Sequence, residues 1–198
     1  MLDWLKNINK EYPEFWKAYL GKFEHKEPKY IAIHIKTTGF NVKKDVILSI
    51  GALTIAEDAV YIGQGYEVTI PQYRFLHDNG LSNDFVMESE QTKLSESQAI
   101  EKCVDFIGSA TLVGYRLHNG LDILNEALEK MGCGRLKNEA IDIEIMYQKL
   151  NETMDKKYSL ADICQAYKLN HEESNTTTEY AYSIALLFLK LKTRLGFK

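Results

Sequence analysis

The sequence predicts an α/β domain built on a mixed β-sheet with helices packed on its faces. Three apolar, strand-like stretches follow one another between residues 30 and 70. Short polar turns separate them, as hairpins require. After residue 95, helical and strand-like patterns alternate until the chain closes with helices. This order of elements is typical of a mixed sheet covered by helices.

The first 28 residues are predicted to form an N-terminal helical extension, and residues 29–195 the main domain. Apolar and aromatic side chains recur at helical spacing over residues 2–23. Pro13 suits a first helical turn and is expected to split the segment in two. An aromatic stripe of this kind usually packs on a domain core, and a partner-docking arm is the alternative.

The three predicted strands cover residues 30–36, 46–56 and 59–70, which are rich in β-branched and apolar residues. Residues 71–93 show no period and many polar groups, which indicates a surface loop with room for one short helix. Ser95 and Gln98 then resemble a capping box at the start of a helix. The remaining predictions are strands over 110–114 and 139–143, and helices over 120–131, 143–150, 159–168 and 176–193.

Composition limits the classes of function. The chain has 198 residues, of which 45% are hydrophobic, so it can bury a substantial core in one domain. Its formal net charge of −4 is unlike that of most nucleic-acid-binding domains, although a local basic groove is compatible with it. Cys103, Cys133 and Cys164 form no C-x-x-C pair, and no signal peptide or membrane span is visible. We therefore expect reduced thiols in a soluble cytoplasmic protein.

Three stretches carry motifs in a fixed order. They are Ile33-His34-Ile35-Lys36-Thr37-Thr38-Gly39 with the strand Ile47-Leu48-Ser49-Ile50-Gly51-Ala52, then Leu112-Val113-Gly114-Tyr115-Arg116 continuing to Leu124-Asn125, and Asn175-Thr176-Thr177-Thr178-Glu179-Tyr180-Ala181. Together they resemble the DEDD-type 3′–5′ exonucleases, the family of the proofreading ε subunit of bacterial DNA polymerase III. The resemblance runs from about residue 30 to residue 191. It implies a ribonuclease H-like fold.

The resemblance also implies where a catalytic site would lie. The family holds two Mg²⁺ or Mn²⁺ ions, roughly 3.5–4 Å apart, with four carboxylates. A histidine assists as general base. In this sequence the four carboxylate positions hold His34, Lys36, Gly120 and Tyr180, and the histidine position holds Asn175.

The exchanged residues reverse the charge of that site. Four carboxylates would bring four negative charges, whereas Lys36 brings one positive charge. One contact between unit charges at ~4 Å is worth about 4 kcal/mol at an effective dielectric constant near 20. We therefore expect no bound metal cofactor and no exonuclease activity by the family mechanism. The neighbouring Asp122 and Glu179 point about 100–200° away on a helix and cannot replace the missing ligands. A zinc-like site would have two candidate ligands, His34 and His118.

These observations lead to alternative functions. The first is a catalytically inactive relative that binds or scaffolds nucleic acid or a protein partner, such as an active exonuclease. The alternative is an active 3′–5′ exonuclease on DNA or RNA with a rebuilt or non-standard metal site. If nucleic-acid or phosphate binding is retained, Lys36 and Arg116 would supply cations, and Tyr115 and Tyr180 would supply stacking rings.

Lys36 and Tyr180 also have structural interpretations. Lys36 is equally able to pair with a nearby acid or to extend its charge into water. The ring of Tyr180 is expected to fill the space that the missing side chain leaves at Gly120.

Overall fold

The computed structural model describes residues 11–26, 28–71, 94–171 and 176–196. The predicted loop over 71–93 and the first part of the predicted N-terminal helix therefore lie almost wholly outside the described residues. The strands are β1 (Tyr30–Thr37), β2 (Ile47–Ala56), β3 (Ala59–Thr69), β4 (Thr111–Gly114) and β5 (Ala140–Asp142). The helices are α1 (Glu14–Gly21), α2 (Glu96–Ile107), α3 (Leu117–Lys130), α4 (Ile143–Leu150), α5 (Leu160–Ala166) and α6 (Thr177–Leu195).

The five strands form one mixed sheet in the order β3-β2-β1-β4-β5. β2 runs antiparallel to both β1 and β3, whereas β4 runs parallel to β1 and to β5. β1 therefore occupies the centre of the sheet. The α/β fold with a mixed sheet and flanking helices is confirmed.

Alternation along β1 divides the core into two layers. Ile31, Ile33 and Ile35 pack in one layer with α1, α2 and α3. Ala32 points to the other face and packs in the second layer with α4, α5 and α6. Because successive side chains of a strand alternate between faces, the following even-numbered residues of β1 point towards α6.

The described part of the N-terminal helix packs on the domain core. Trp16 and Tyr19 of α1 are almost fully buried. They belong to the core layer that also contains residues of α2 and α3. The hydroxyl of Tyr19 donates to Asn138 Oδ1 and accepts from the backbone N–H of Lys137, so its polar end is satisfied. Burial raises the pKa of Tyr19 to about 12. Over residues 14–21 the core-packing interpretation is confirmed, and α1 begins directly after Pro13 as predicted.

The predicted start of a helix agrees with the structure where the capping residue lies next to that helix in the sequence. The predicted capping box at the start of α2 is present, because Ser95 accepts from the N–H of Gln98 and the Gln98 side chain accepts from the N–H of Ser95. α3 instead begins at Leu117, three residues before the predicted start. The N–H of Leu117 donates to Asp142 Oδ2, a cap that lies 25 positions away in the chain and leaves no local signal.

The three cysteines are buried and none of them is in a disulfide bond. Within the described ranges, no helix is both long enough and apolar enough to cross a membrane.

The start of α6 lies directly on β2 at Gly51. A Cβ atom at this glycine would overlap the backbone carbonyl group of Thr177, so the close approach depends on the missing side chain. Beside it, Glu67 of β3 accepts from Thr177 Oγ1 at 3.2 Å and from the N–H of Thr178 at 3.4 Å. A carboxylate at this place also interacts favourably with the positive end of the helix dipole.

The variant Gly51→Ala is expected to lower the free energy of unfolding by about 3 kcal/mol, because the added methyl group collides with backbone atoms that cannot rotate away. Urea unfolding followed by circular dichroism measures the change. Gly63→Ala is the matched control, since a Cβ at Gly63 meets nothing within 4 Å, and its effect should stay within about 0.5 kcal/mol. Equal losses in the two variants would contradict the close packing of α6 on β2.

Candidate functional site

The candidate site lies where the end of β1 meets the start of α6. His34 pairs with Gly51 across the sheet, and Gly51 pairs with Glu67, so the three residues form one row across β1, β2 and β3. The start of α6 covers the middle of this row. Lys36, two residues further along β1, is exposed. Of the residues predicted for the site, the structure brings His34, Lys36 and Tyr180 together.

The imidazole ring of His34 stacks on the phenol ring of Tyr180. Their centroids are 4.6 Å apart and the angle between their planes is 14°. Tyr180 lies in the first turns of α6, so the stack joins the central strand to the last helix. Two aromatic rings in contact therefore occupy positions that, by the resemblance, would hold two metal-binding carboxylates.

A second histidine contacts the same tyrosine from another side. The ring of His171 meets Tyr180 edge-on, with centroids 4.7 Å apart and an interplanar angle of 88°. Its Nδ1 lies 3.2 Å from Oγ of the buried Ser183 on α6. His171 is not among the site residues predicted from the sequence, because it lies in a short polar segment after α5 with no periodicity and no motif. We use the name ring cluster for His34, Tyr180 and His171.

The electrostatic surroundings keep His34 neutral. Burial is the main cause that lowers the pKa of His34, and electrostatic interactions with Lys36 and His171 lower it further, to about 4. The imidazole is therefore uncharged at neutral pH, and the stack on Tyr180 forms without burying a charge. The groups that lower this pKa, Lys36 and His171, are basic side chains. A site of metal-binding carboxylates would instead have a negative electrostatic potential.

Gly120 faces a different part of β1. A Cβ atom at this position would lie 3.0 Å from Cβ of Ile35, closer than ordinary packing allows. Helix α3 therefore approaches β1 closely, and the Ile35 side chain takes the space next to Gly120. The prediction that Tyr180 fills this space is wrong, since the Tyr180 ring stacks on His34 instead.

Arg116 and Tyr115 make a separate set of contacts beyond β4. The Arg116 guanidinium donates to both carboxylate oxygens of Glu144, at 2.8 and 2.9 Å, and lies 5.0 Å from the centre of the Tyr115 ring. The hydrogen bond from Arg116 is the main cause that lowers the pKa of Glu144. The hydroxyl of Tyr115 donates to the carbonyl of Tyr158 at 2.7 Å. These two candidates for phosphate and base contacts thus take part in contacts within the domain.

The neighbouring acids also have structural partners. Asp122 pairs with Arg135 on the surface. Glu179 accepts from the N–H of Thr176 at 2.8 Å and completes a capping box at the start of α6. The exposed His118 lies on α3.

The described residues do not fit a two-metal site. Mg²⁺ and Mn²⁺ require oxygen ligands, and positions 34, 36, 120 and 180 supply no carboxylate. Within residues 11–26, 28–71, 94–171 and 176–196, no three His, Cys, Asp or Glu side chains are grouped as metal ligands would be. Asn175, at the position of the family histidine, lies outside the described residues.

No protein family matches the chain by sequence, and no curated protein matches it. Solved structures do match. The zinc-bound form of the E. coli ExoI–single-stranded DNA complex has a TM-score of 0.69 and 11% identity, with 86% of this chain and 42% of that chain covered. E. coli exonuclease I in complex with a 5cy-dT13 oligonucleotide has a TM-score of 0.66 and 12% identity, with 86% and 41% covered. An ExoI/SSB-Ct complex has a TM-score of 0.64 and 11% identity, with 86% and 42% covered.

These likenesses concern the fold. The chain spans about two fifths of the length of the structures it matches. At this level of identity, the match confirms the ribonuclease H-like fold of 3′–5′ exonucleases that the motifs implied.

The variant Glu144→Gln is expected to lower the free energy of unfolding by about 2 kcal/mol at pH 7, because it weakens a two-bond ion pair with a buried carboxylate. The lowered pKa of Glu144 means that its contribution is present above the ordinary glutamate pKa and is lost as the pH falls through the folded-state value. The difference between wild type and variant should therefore shrink in acid.

Urea unfolding at pH 7 and at a series of pH values below about 4.5 checks this expectation. Glu129→Gln is the control. Glu129 is half exposed, and its contact with Arg135 is long, at 3.8 Å. The loss of this weak ion pair should change the free energy of unfolding by less than about 0.5 kcal/mol. A loss in Glu144→Gln that stays constant with pH would contradict the assignment.

Proposed function

We propose that the chain is a catalytically inactive relative of the 3′–5′ exonucleases that keeps their fold as a binding or scaffolding protein. The observation that supports this most directly is the stack of His34 on Tyr180 beside Lys36. Metal-binding carboxylates would be needed at these positions for the family mechanism.

The chemistry of the site supports the proposal in two ways. A divalent ion at this place would face the positive charge of Lys36, which costs several kcal/mol, and positions 34, 36, 120 and 180 supply no carboxylate to offset that cost. In addition, the ring of Tyr180 is held between His34 and His171, so it is not directed at a vacant ligand position. We accordingly propose that the protein uses no Mg²⁺ or Mn²⁺ cofactor.

The alternative is an active nuclease with a rebuilt metal site. It would need ligands from outside the described ranges, because the described residues hold no group of three suitable side chains. The acids that lie nearest in sequence to the lost positions, Asp122 and Glu179, already pair with Arg135 and with the backbone of Thr176. Glu67, which lies in the same row as His34, accepts hydrogen bonds from Thr177 and Thr178 at the start of α6. This alternative therefore has less support than the inactive relative.

We further propose a relationship to the ε-subunit type of bacterial exonuclease and a cytoplasmic protein partner, such as an active exonuclease relative. The order of the motifs, from Thr37-Thr38-Gly39 to residues 175–181, supports the relationship. A net charge of −4 favours a protein partner over nucleic acid, because phosphate binding usually requires a basic surface.

Purified protein is expected to release no nucleotides from 5′-labelled single-stranded DNA or RNA in Mg²⁺ or Mn²⁺ above the level of buffer alone. Denaturing gels resolve the products over time. A trace activity that remains unchanged in His34→Ala and Lys36→Ala would come from a contaminating nuclease. Robust metal-dependent activity that one of these substitutions removes would contradict the proposal.

Retained binding of single-stranded nucleic acid is tested separately. We expect dissociation constants for oligo(dT) no tighter than about 10⁻⁴ M at 50 mM salt, the weak end of non-specific binding. The reason is that Arg116 pairs with Glu144 and Tyr180 is stacked, which leaves few groups for phosphates and bases. Fluorescence anisotropy measures the affinity. Tight, salt-dependent binding that Lys36→Ala weakens would show a nucleic-acid-binding function instead.

A further inference from the structure

The first turns of α6 are attached to the sheet by contacts of three kinds. The backbone of Thr177 rests on Gly51, the carboxylate of Glu67 accepts hydrogen bonds at the helix start, and Tyr180 contacts two imidazole rings. The third contact is the one that involves imidazole rings, which gain a positive charge within the range from pH 4 to pH 7.

The groups that face His34 make its protonation unfavourable. Lys36 faces it from β1, and His171 faces it from the segment after α5. The neutral phenol of Tyr180 covers it from α6. The neighbouring residue on β2 is Gly51, which has no side chain. Glu67 lies on the far side of Gly51, on β3, and its carboxylate accepts from the N–H of Thr178 at the start of α6. The pairing of β4 with β1 ends at Ala32, before His34.

We propose that the ring cluster is an acid-operated latch: the imidazole rings of His34 and His171 hold Tyr180 and the first turns of α6 on the sheet, and protonation of His34 releases them. The inference does not depend on the proposed loss of catalysis, since it concerns only how α6 is attached. The later turns of α6 stay in place, because Ile184, Phe188 and Leu191 are buried in the core.

The direction of the pH effect follows from the two states of the ring. In the latched state the pKa of His34 is about 4. Once released into water, the ring returns to an ordinary histidine pKa of about 6.5. Above pH 6.5 both states are neutral and the latch is fully effective. As the pH falls from 6.5 towards 4, only the released state gains a proton, so the released state is increasingly favoured.

The expected size is a rise in the opening equilibrium of α6 of about 10- to 100-fold between pH 6.5 and pH 4.5, because each pKa unit corresponds to a factor of ten. Amide hydrogen exchange, expressed as protection factors so that the intrinsic pH dependence cancels, measures this opening locally. Protection over residues 178–183 should fall in acid, while protection in α2 should change much less.

The variant His34→Gln tests the role of the imidazole, because glutamine is neutral at both pH values. The readout is the change of its protection factors with pH, and not their value at one pH. The expected result is that the acid-dependent loss of protection at the start of α6 disappears. His118→Gln is the matched control, since His118 is exposed on α3 and outside the ring cluster, and it should keep the wild-type pH dependence.

Two results would overturn the latch. One is the same acid-dependent loss over residues 178–183 in His34→Gln as in wild type. The other is an equal loss in all helices, which would indicate global acid unfolding. If His34→Gln does not fold, an NMR titration of the His34 ring in the wild-type protein decides: a pKa near 4 supports the latch, and a pKa of about 6 or higher rejects it.

Discussion

The close approach of α6 to β2 at Gly51 is the constraint on which the site depends. With no side chain at this position, the backbone of Thr177 comes into contact with the strand. That contact fixes how far the helix start lies from the sheet, and it thereby brings Tyr180 over His34 and the N–H of Thr178 near Glu67. A larger residue at position 51 would lift the helix and separate both pairs at once.

The ring cluster also changes what the site needs in order to be stable. Four carboxylates in one place repel one another unless cations are bound between them. A neutral imidazole stacked on a phenol has no such repulsion, and it gains from ring contact and from burial. The stack of His34 on Tyr180 therefore joins the end of β1 to the start of α6 without a charged imidazole at neutral pH. In the inactive relative proposed above, this ring contact lies where the resemblance would place the bound ions.

Sequence patterns predicted the elements well where the signal is local. Alternation identified β1, and the capping box identified the start of α2. The site was predicted less completely, because its contacts join distant parts of the chain. The position of Glu67 opposite Gly51 depends on an irregularity in β3, where the four residues 62–65 lie opposite the single residue Leu53. No pattern in the sequence predicts this change of register. The pairing of Arg116 with Glu144 likewise joins two elements 28 positions apart.

The contact between Gly120 and Ile35 has a consequence for substitutions at this position of α3. An aspartate introduced at position 120 would bring its Cβ to 3.0 Å from Cβ of Ile35, so it would disturb the core before it could contribute to any ion site. Either the Ile35 side chain or α3 would have to move by a few tenths of an ångström to make room. The effect of an acidic residue at position 120 therefore depends on how readily its neighbour at position 35 adjusts.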